Sequence, residues 1–435
     1  MDPSIFKAYD IRGVYPSEVH EEVAAQVARG CRVLFPSGKI IVGRDVRIGS
    51  LELAAALVKG LRANENYEVI DVGVCSTPLF YFAVNILGAA GGVMVTASHN
   101  PSEWNGFKVV GPGAAMTGGQ AVFKAIARAG ALPQGQGKYE TRDMSSDYAA
   151  FLAKQFDVSK RCSVVCDFGN GAVGSFFTVI AERFPNITFH LLHDIPDGKF
   201  PSRDPNPLAP GALEELKNEV KRTRADLGVA FDADGDRAFF VSGFGEEIPA
   251  YVIALLLADG GKKSLVAEVQ IFHILKRIGY KGVLWKSRVG TYFMKQQMKE
   301  TSAEVGAEYS GHYYFREFFG ADSGVVTLLN VLEVVSQLPS LDEFLASVPR
   351  FYSVEWNVNA GNPMAALEKI TEKYKGRKNL EEDTTDGIVF TGKEWIFGVR
   401  PSNTEPLLRF FAAASSKETL DELVREIQLK IDNCM

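Results

Sequence analysis

Five short stretches of this chain carry side chains whose types and spacing could do chemistry. The first is TASHNP, Thr96 to Pro101, directly behind the apolar run GGVMV. A serine at the end of a buried strand, followed by His99, Asn100 and Pro101 that forbid smooth continuation, is placed on an exposed loop where its hydroxyl can be reached. A serine-esterase elbow would need G-x-S-x-G, and the positions flanking Ser98 by two are Thr96 and Asn100, so that reading fails. A structural turn serine is the competing reading.

The second stretch is DADGDR, Asp232 to Arg237, behind the apolar run LGVAF. In an extended segment side chains alternate, so Asp232, Asp234 and Asp236 are expected on one side. Like charges ~4 Å apart repel by roughly 1 kcal/mol in water and about 4 kcal/mol at an effective dielectric of 20, so the three acids call for a divalent cation. Oxygen ligands alone suit Mg²⁺. Counting from Asp232 as position 1 puts Arg237 where a calcium EF-hand loop needs glycine and Gly243 where it needs glutamate, so the loop is not an EF-hand.

Third comes GNGAVG, Gly169 to Gly174, after SVVCDF, with Asp194 twenty residues beyond the last glycine. It satisfies the dinucleotide fingerprint, yet the same glycines serve a tight strand-to-helix turn, and on the residues alone both readings stay open. The fourth stretch, GAEYSGHYYF (306–315), offers Glu308, Ser310 and His312 at alternating positions, a donor and acceptor set suited to sugar hydroxyls. The fifth, GVRPSNTEP (398–406), gathers Arg400, Ser402, Asn403 and Thr404, one cation and three small polar groups suited to a phosphate. Either loop could be an ordinary turn. His190 and His193 in HLLH invite a metal reading, but their apolar neighbours favour a structural or surface role.

These loops need strands and helices to hold them, and the chain supplies a repeated grammar. KIIVGRDVRIGSLELAAALVKGL (39–61), CSVVCDFGNGAVGSFFTVIAERF (162–184) and KSLVAEVQIFHILKRIG (263–279) each run from a β-branched strand through a turn into a helical pattern. Such alternation predicts βαβ units with largely parallel sheets. LPQGQGKYETRDMSSD (132–147) reads as a linker into a new helix N-cap, FGEEIPAYV (244–252) as another break, and the pattern changes again after residues 347–360. The expected architecture is three tandem mixed α/β domains of similar topology, 1–145, 146–245 and 246–352, followed by a smaller α+β domain, 353–435.

Composition supports several cores and excludes some partners. The 435 residues are 46% hydrophobic and 23% charged, ordinary globular values. The net charge of −6, with no basic run, argues against nucleic acid and anionic membranes. Val72 to Ser102 contains no Asp, Glu, Lys or Arg and is long enough to span a bilayer, but Pro78, Asn85, Gly88, Gly91 and Gly92 divide it into a helix-like PLFYFAVNILG and a strand-like GGVMVTAS, so buried core is expected. The five cysteines are scattered and odd in number, which speaks against a disulfide framework or zinc ribbon. With no secretory signal visible in MDPSIFKAYDIRG, a reducing, cytoplasmic location is expected.

Taken in order, KAYDIRG (7–13), TASHNP with NGFKVV (105–110), DADGDR, the E-x-S-G-H loop and RPSNTEP resemble the α-D-phosphohexomutases, within them the phosphomannomutase/phosphoglucomutase group, over essentially the whole chain. HYYFREFFGADSG (312–324) is similar to the mannose-type members. The resemblance implies four domains around a central cleft and an isomerase, an intramolecular phosphotransferase, that interconverts hexose 6-phosphate and hexose 1-phosphate through a hexose 1,6-bisphosphate. Mannose is favoured, with glucose or glucosamine as alternatives; a sugar-phosphate binder without turnover is the non-enzyme alternative.

On that resemblance Ser98 carries the phosphoryl group, and it would hold Mg²⁺ together with Asp232, Asp234 and Asp236. Lys108 and Arg237 would stabilise charge and assist proton transfer, with His99 beside them. Tyr9, Arg12, Thr291, Glu308, Ser310 and His312 would meet the sugar, and Arg400, Ser402, Asn403 and Thr404 its distal phosphate. GNGAVG then belongs to the first strand-turn-helix of the second domain. Two departures bear on sugar choice: Gln270 stands where many dual-specificity members have lysine, and Thr291 where many have histidine. A monomer or homodimer acting on small sugar phosphates is expected.

Overall fold

In the computed structural model, which describes residues 2–35, 37–131, 135–376, 380–402 and 407–432, the chain alternates strands and helices through its first two-thirds. The first region holds β1 (Ile11–Val14), α1 (Glu21–Leu34), β2 (Gly38–Arg44), α2 (Ser50–Arg62), β3 (Tyr67–Val74), α3 (Thr77–Ile86), β4 (Gly91–Val95), β5 (Trp104–Val110), β6 (Met116–Thr117), α4 (Gly119–Arg128) and β7 (Lys138–Thr141). Its sheet runs β1-β5-β4-β2-β3-β7, with β6 on β5. The β4-β2-β3-β7 part is parallel, and the β1 and β5 contacts are antiparallel.

Burial explains the elements. In α1 the buried positions Val23, Ala24, Val27, Ala28 and Cys31 recur every three or four residues, one face of a helix turned to the sheet. In α3 every residue from Thr77 to Val84 is buried, so the uncharged run that could have crossed a membrane lines the interior on all sides. The division of 72–102 into helix and strand matches α3 and β4. Among the described residues no single helix is long and apolar enough to cross a membrane.

The stretch 132–147, expected as a linker, instead contains β7, which pairs in parallel with the edge of β3. All four β7 side chains are exposed, so no apolar alternation announces the strand. Leu132, Pro133 and Gln134 lie outside the described residues.

The second region follows with α5 (Ser145–Gln155), β8 (Cys162–Asp167), α6 (Phe177–Ala181), β9 (Ile187–Leu192), α7 (Glu214–Thr223), β10 (Leu227–Phe231), β11 (Ala238–Ser242) and β12 (Glu247–Ile248). Its sheet, β12-β11-β10-β8-β9, again joins parallel strands to an antiparallel edge. Further on, strand Leu265–Glu268 is flanked in parallel by Leu284–Ser287 and Val305–Ala307. The C-terminal sheet, Tyr352–Asn359, Leu407–Ala414, Trp395–Pro401, Ile388–Thr391 and Glu381–Asp383 in that order, is antiparallel throughout and carries helices Pro363–Tyr374 and Lys417–Asp432.

Two compact units result: Met1–Pro249 with Ser310–Leu338, and Ala250–Tyr309 with Pro339–Met435. The segment Ser310–Leu338, expected within a third domain, thus packs with the first two. In the first unit, TASHNP follows β4, DVR (45–47) follows β2, GNGAVG follows β8 and DADGDR follows β10. All four loops leave the carboxyl ends of parallel strands, the end where open α/β sheets bind ligands.

Candidate active site

Ser98 heads the loop after β4 with its backbone in the left-handed region, φ 52°. Its amide donates to Thr96 Oγ1 at 2.9 Å, and its Oγ lies 3.2 Å from His99 Nδ1 and 3.3 Å from Asp232 Oδ2. Ser98 is 1% exposed, so the open loop expected from the sequence is instead enclosed, and so buried a serine in so unusual a conformation needs the support that Arg47 supplies. The Arg47 guanidinium donates to the carbonyls of Ser98 at 2.6 Å, Pro101 at 2.7 Å, Trp104 at 3.1 Å and also Asn100, while its Nε pairs with Asp45 at 3.2 Å. One planar fork therefore fixes four carbonyls of the serine loop. Arg12, opposite Gly106 in the β1-β5 pairing, donates to Asn100 Oδ1 at 2.7 Å and pairs with Asp10. Tyr9 stands just before β1, half-buried.

The acidic loop is not extended. It is a turn joining β10 to β11, closed by a Gly235 amide bond to the Asp232 carbonyl at 3.1 Å and using Gly235 at φ 74°. Asp232, Asp234 and Asp236 converge through this turn rather than by strand alternation. Each offers a carboxylate oxygen, and these lie within 4.8 Å of one another with all three residues buried. Lys108, on β5, reaches Asp234 Oδ2 at 2.7 Å and Asp236 Oδ2 at 2.6 Å. Asp234 Oδ1 and Asp236 Oδ1 are buried without a hydrogen bond, so two oxygens are left for a cation beside those that Lys108 occupies. An all-oxygen set with buried orphan carboxylate atoms fits Mg²⁺.

Charge states follow from the enclosure. Burial, then the charges of Asp236 and Asp234, push Asp232 well above the usual carboxylate range. Burial also works against Lys108, but Asp234 and Asp236 outweigh it and keep the ammonium protonated far above its ordinary value. His99 is driven well below its ordinary value by burial and by the neighbouring cations, Arg237 first among them, so its imidazole is neutral. Arg237 lies 3.7 Å from Asp232 and donates from Nε to His312 Nε2 at 2.9 Å; His312 Nδ1 faces Asp322 Oδ2 at 2.8 Å. Ser310 is half-buried in the same unit.

In the second unit, Glu308 Oε1 accepts from the Gly290 amide at 2.6 Å, beside Thr291, the first residue of helix Thr291–Thr301. Glu268 caps helix Val269–Arg277, accepting from the Gln270 and Ile271 amides, and burial pushes its carboxyl up to about 8. Gln270 is 3% exposed, with no hydrogen bond to its Nε2. Arg400 lies 3.6 Å from Asp386, which Arg288 also approaches at 3.6 Å, and the Ser402 amide donates to Leu407 O. Asn403 and Thr404 lie outside the described residues.

The expected residues therefore fall into two groups. The first unit holds Tyr9, Arg12, Ser98, His99, Lys108, Asp232, Asp234, Asp236, Arg237, Ser310 and His312; the second holds Thr291, Glu308, Arg400 and Ser402. Sequence reasoning missed Arg47 and Thr77. Thr77, at the start of α3, donates its hydroxyl to Asp234 Oδ2 and its amide to the Asp234 carbonyl at 2.9 Å. The signals were there: charged D-x-R directly after the buried strand of KIIVGR, and S-T-P before an apolar helix.

The GNGAVG glycines prove to serve packing between loops. A methyl on Gly169 would stand 2.6 Å from the Arg203 guanidinium carbon, one on Gly171 2.7 Å from Ala233 O, and one on Gly174 2.2 Å from Asp194 O. The turn thus braces the acidic loop, and close packing accounts for all three glycines. His193 binds Asp167 at 3.0 Å, and His190 Nε2 lies 3.0 Å from Ser163 Oγ; neither joins a metal-competent cluster among the described residues. Cys31, Cys75, Cys162 and Cys166 are free thiols; Cys434 is outside the described residues.

Comparison with known proteins agrees with this geometry. The chain matches the models for phosphoglucomutase/phosphomannomutase alpha/beta/alpha domain I at residues 3–132, domain II at 146–245, domain III at 245–352, and the C-terminal domain at 355–430. It is 38% identical over 427 residues to "Phosphohexose mutases" of Xanthomonas campestris pv. campestris, covering 93% of each chain. A phosphomannomutase of Methanocaldococcus jannaschii is 35% identical over 457 residues, with 98% of this chain and 97% of the relative covered. Among solved structures, a phosphoglucomutase/phosphomannomutase family protein from Burkholderia thailandensis superposes with a TM-score of 0.88 at 29% identity, covering 100% of this chain and 98% of that one.

Proposed function

The chain belongs to the phosphoglucomutase/phosphomannomutase family of isomerases, and from that premise we propose that it interconverts hexose 6-phosphate and hexose 1-phosphate, with mannose preferred, through a phosphoserine at Ser98. The observation that carries this reading is the contact of the Ser98 hydroxyl with Asp232, a carboxylate that clusters with two further buried carboxylates, which Lys108 bridges, and with Arg237. Phosphate monoesters are among the slowest bonds to hydrolyse, so positioning and charge neutralisation must do most of the work.

In the first half-reaction the bond from Ser98 Oγ to phosphorus breaks, and a new one forms to the sugar's free O1 or O6. The proton leaving that hydroxyl ends on Ser98 Oγ, handed over by neutral His99, whose Nδ1 lies 3.2 Å away. Lys108, held charged, and Arg237 face the charge that develops on the transferring oxygens. Asp232, Asp234 and Asp236 would hold Mg²⁺, which supplies electrostatic stabilisation to the phosphoryl oxygens when bound. The second half-reaction reverses these bonds at the other end of the bisphosphate, which turns over in between. Arg400, Ser402, Asn403 and Thr404 bind whichever phosphate is not reacting, and Glu308 and Ser310 accept sugar hydroxyls in both orientations.

Mannose preference is supported by HYYFREFFGADSG and by phosphomannomutases among the relatives. We assign one loop to each of 1–145, 146–245, 246–352 and 353–435: serine, metal, sugar and distal phosphate. A coupled assay with mannose, glucose and glucosamine phosphates tests the proposal. Turnover fastest with mannose is expected; binding of all three without isomerisation would leave only a sugar-phosphate-binding protein.

A further inference from the structure

The serine loop and the acidic loop leave different sheets, yet Ser98 Oγ and Asp232 Oδ2 must keep a separation near hydrogen-bond length. One segment touches the supports of both. Asp197–Arg203 begins at the GNGAVG turn, where the Asp197 amide donates to Asn170 O at 2.9 Å and Asn170 Oδ1 accepts from the Ser202 amide at 3.3 Å. Gly198 then forms a parallel bridge to Arg47, so close that an added methyl would stand 2.3 Å from Val46 O. Phe200, 6% exposed and left-handed at φ 50°, lays its ring 5.0 Å from the Arg47 guanidinium carbon. Arg203 ends the segment: its Nε donates to Asp167 Oδ2 at 2.6 Å and its Nη2 to the carbonyl of Phe231 at 2.6 Å, one residue before Asp232.

Arg47 holds the four carbonyls of the serine loop, and Arg203 holds the root of the acidic loop. We propose that Asp197–Arg203 is a strap that sets the register of the Ser98 loop on the acidic loop, with Phe200 and Arg203 as positioning residues. None of Ser98, His99, Lys108 and Arg237, which meet the reacting atoms in the proposed mechanism, lies on it. The cation over the Phe200 ring keeps the Arg47 fork in plane with the carbonyls it binds, and the Arg203 fork fixes the height of Asp232. Because misplacement by about 1 Å costs on the order of a hundredfold in rate, small slackening of the strap should appear in turnover before it appears in binding.

This inference rests on the phosphoserine reading, so its test includes measurements that need no turnover. Full-length protein with Phe200→Leu, Phe200→Tyr, Arg203→Met or Arg203→Lys is compared with the unaltered chain in kcat, KM, Mn²⁺ binding by paramagnetic resonance, and amide exchange. Phe200→Leu and Arg203→Met are expected to lower kcat by roughly ten- to a hundredfold with KM within about twofold. Both should weaken Mn²⁺ binding and speed exchange at residues 96–104 and 232–237 while leaving the rest of both sheets unchanged; Phe200→Tyr should restore the parent values. If Phe200→Leu does not fold, Arg203→Lys, which keeps the charge and loses the fork, reads the same loops. Unchanged kcat with unchanged exchange at both loops overturns the strap, as does exchange raised uniformly through both sheets. A parent protein with no mutase activity, but with Mn²⁺ binding and loop exchange that shift as described, overturns the phosphoserine reading and leaves the strap standing.

Discussion

Replacing Lys108 with methionine should cost stability that magnesium returns. The ammonium lies 2.7 Å from Asp234 and 2.6 Å from Asp236, with only 6% of its side chain exposed, and both carboxylates are buried. Methionine fills the space but leaves two acids without their cation. Removing one partner of a buried ion pair costs about 3–5 kcal/mol, and at roughly 2–4 °C per kcal/mol for a large domain the unfolding midpoint should fall by about 6–20 °C in EDTA. The orphan oxygens Asp234 Oδ1 and Asp236 Oδ1 offer a cation the same carboxylates from the other side. A ligand at a hundred times its dissociation constant contributes about 2.7 kcal/mol, so saturating Mg²⁺ should recover at least half of the loss. Thermal unfolding by circular dichroism, with EDTA and then Mg²⁺, measures both quantities. Equal midpoints for the two proteins in EDTA would refute the reasoning, as would a Mg²⁺ effect no larger in the variant.

Three further outcomes are expected. Asp234→Asn should lower kcat roughly a hundredfold, about 3 kcal/mol of transition-state stabilisation, with KM little changed; steady-state kinetics showing the reverse split would contradict a catalytic role. The Asp167 hydrogen bond raises His193 above its ordinary value, so the stability it contributes is complete below about pH 6.5 and is lost as pH rises through the raised value. Urea midpoints should accordingly separate the parent from His193→Gln more at acidic than at alkaline pH; a gap that widens with pH would be wrong in sign. Arg400→Ala should raise KM for both hexose 1-phosphate and hexose 6-phosphate, because one loop serves the distal phosphate in both orientations; a normal KM for either would oppose the two-orientation scheme.

Much of the chemistry was legible because each reactive loop follows an apolar strand and interrupts it with polar side chains at short range. TASHNP and DADGDR are of this kind, and the structure brings Ser98 and Asp232 to 3.3 Å although 134 positions separate them. The aspartates converge by another route than their spacing suggests: strand alternation is replaced by a turn that Gly235 closes. Less legible are features whose meaning lies in a distant partner. The D-x-R after KIIVGR marks Arg47 as a charge at the end of a buried strand, but its role shows only when four carbonyls from 98–104 gather on it. Phe200 carries no signal of the cation it meets, and β7 hides because an edge strand with every side chain in solvent has no apolar period. Three similar α/β regions are legible in the repeated strand-turn-helix grammar and a fourth in the change of pattern after 347–360, whereas the grouping of Ser310–Leu338 with the first two regions depends on tertiary contacts that no local pattern encodes.

The most direct test of the account is to follow the phosphoryl group itself. Dephosphorylated protein is mixed with hexose 1,6-bisphosphate labelled at both phosphates, quenched at successive times, and its peptides and sugar products are separated. The account predicts label on Ser98 at once, both labelled monophosphates released, and neither event in Ser98→Ala. Monophosphates that interconvert without label ever reaching Ser98, or a Ser98→Ala protein that isomerises at the parent rate, would contradict it.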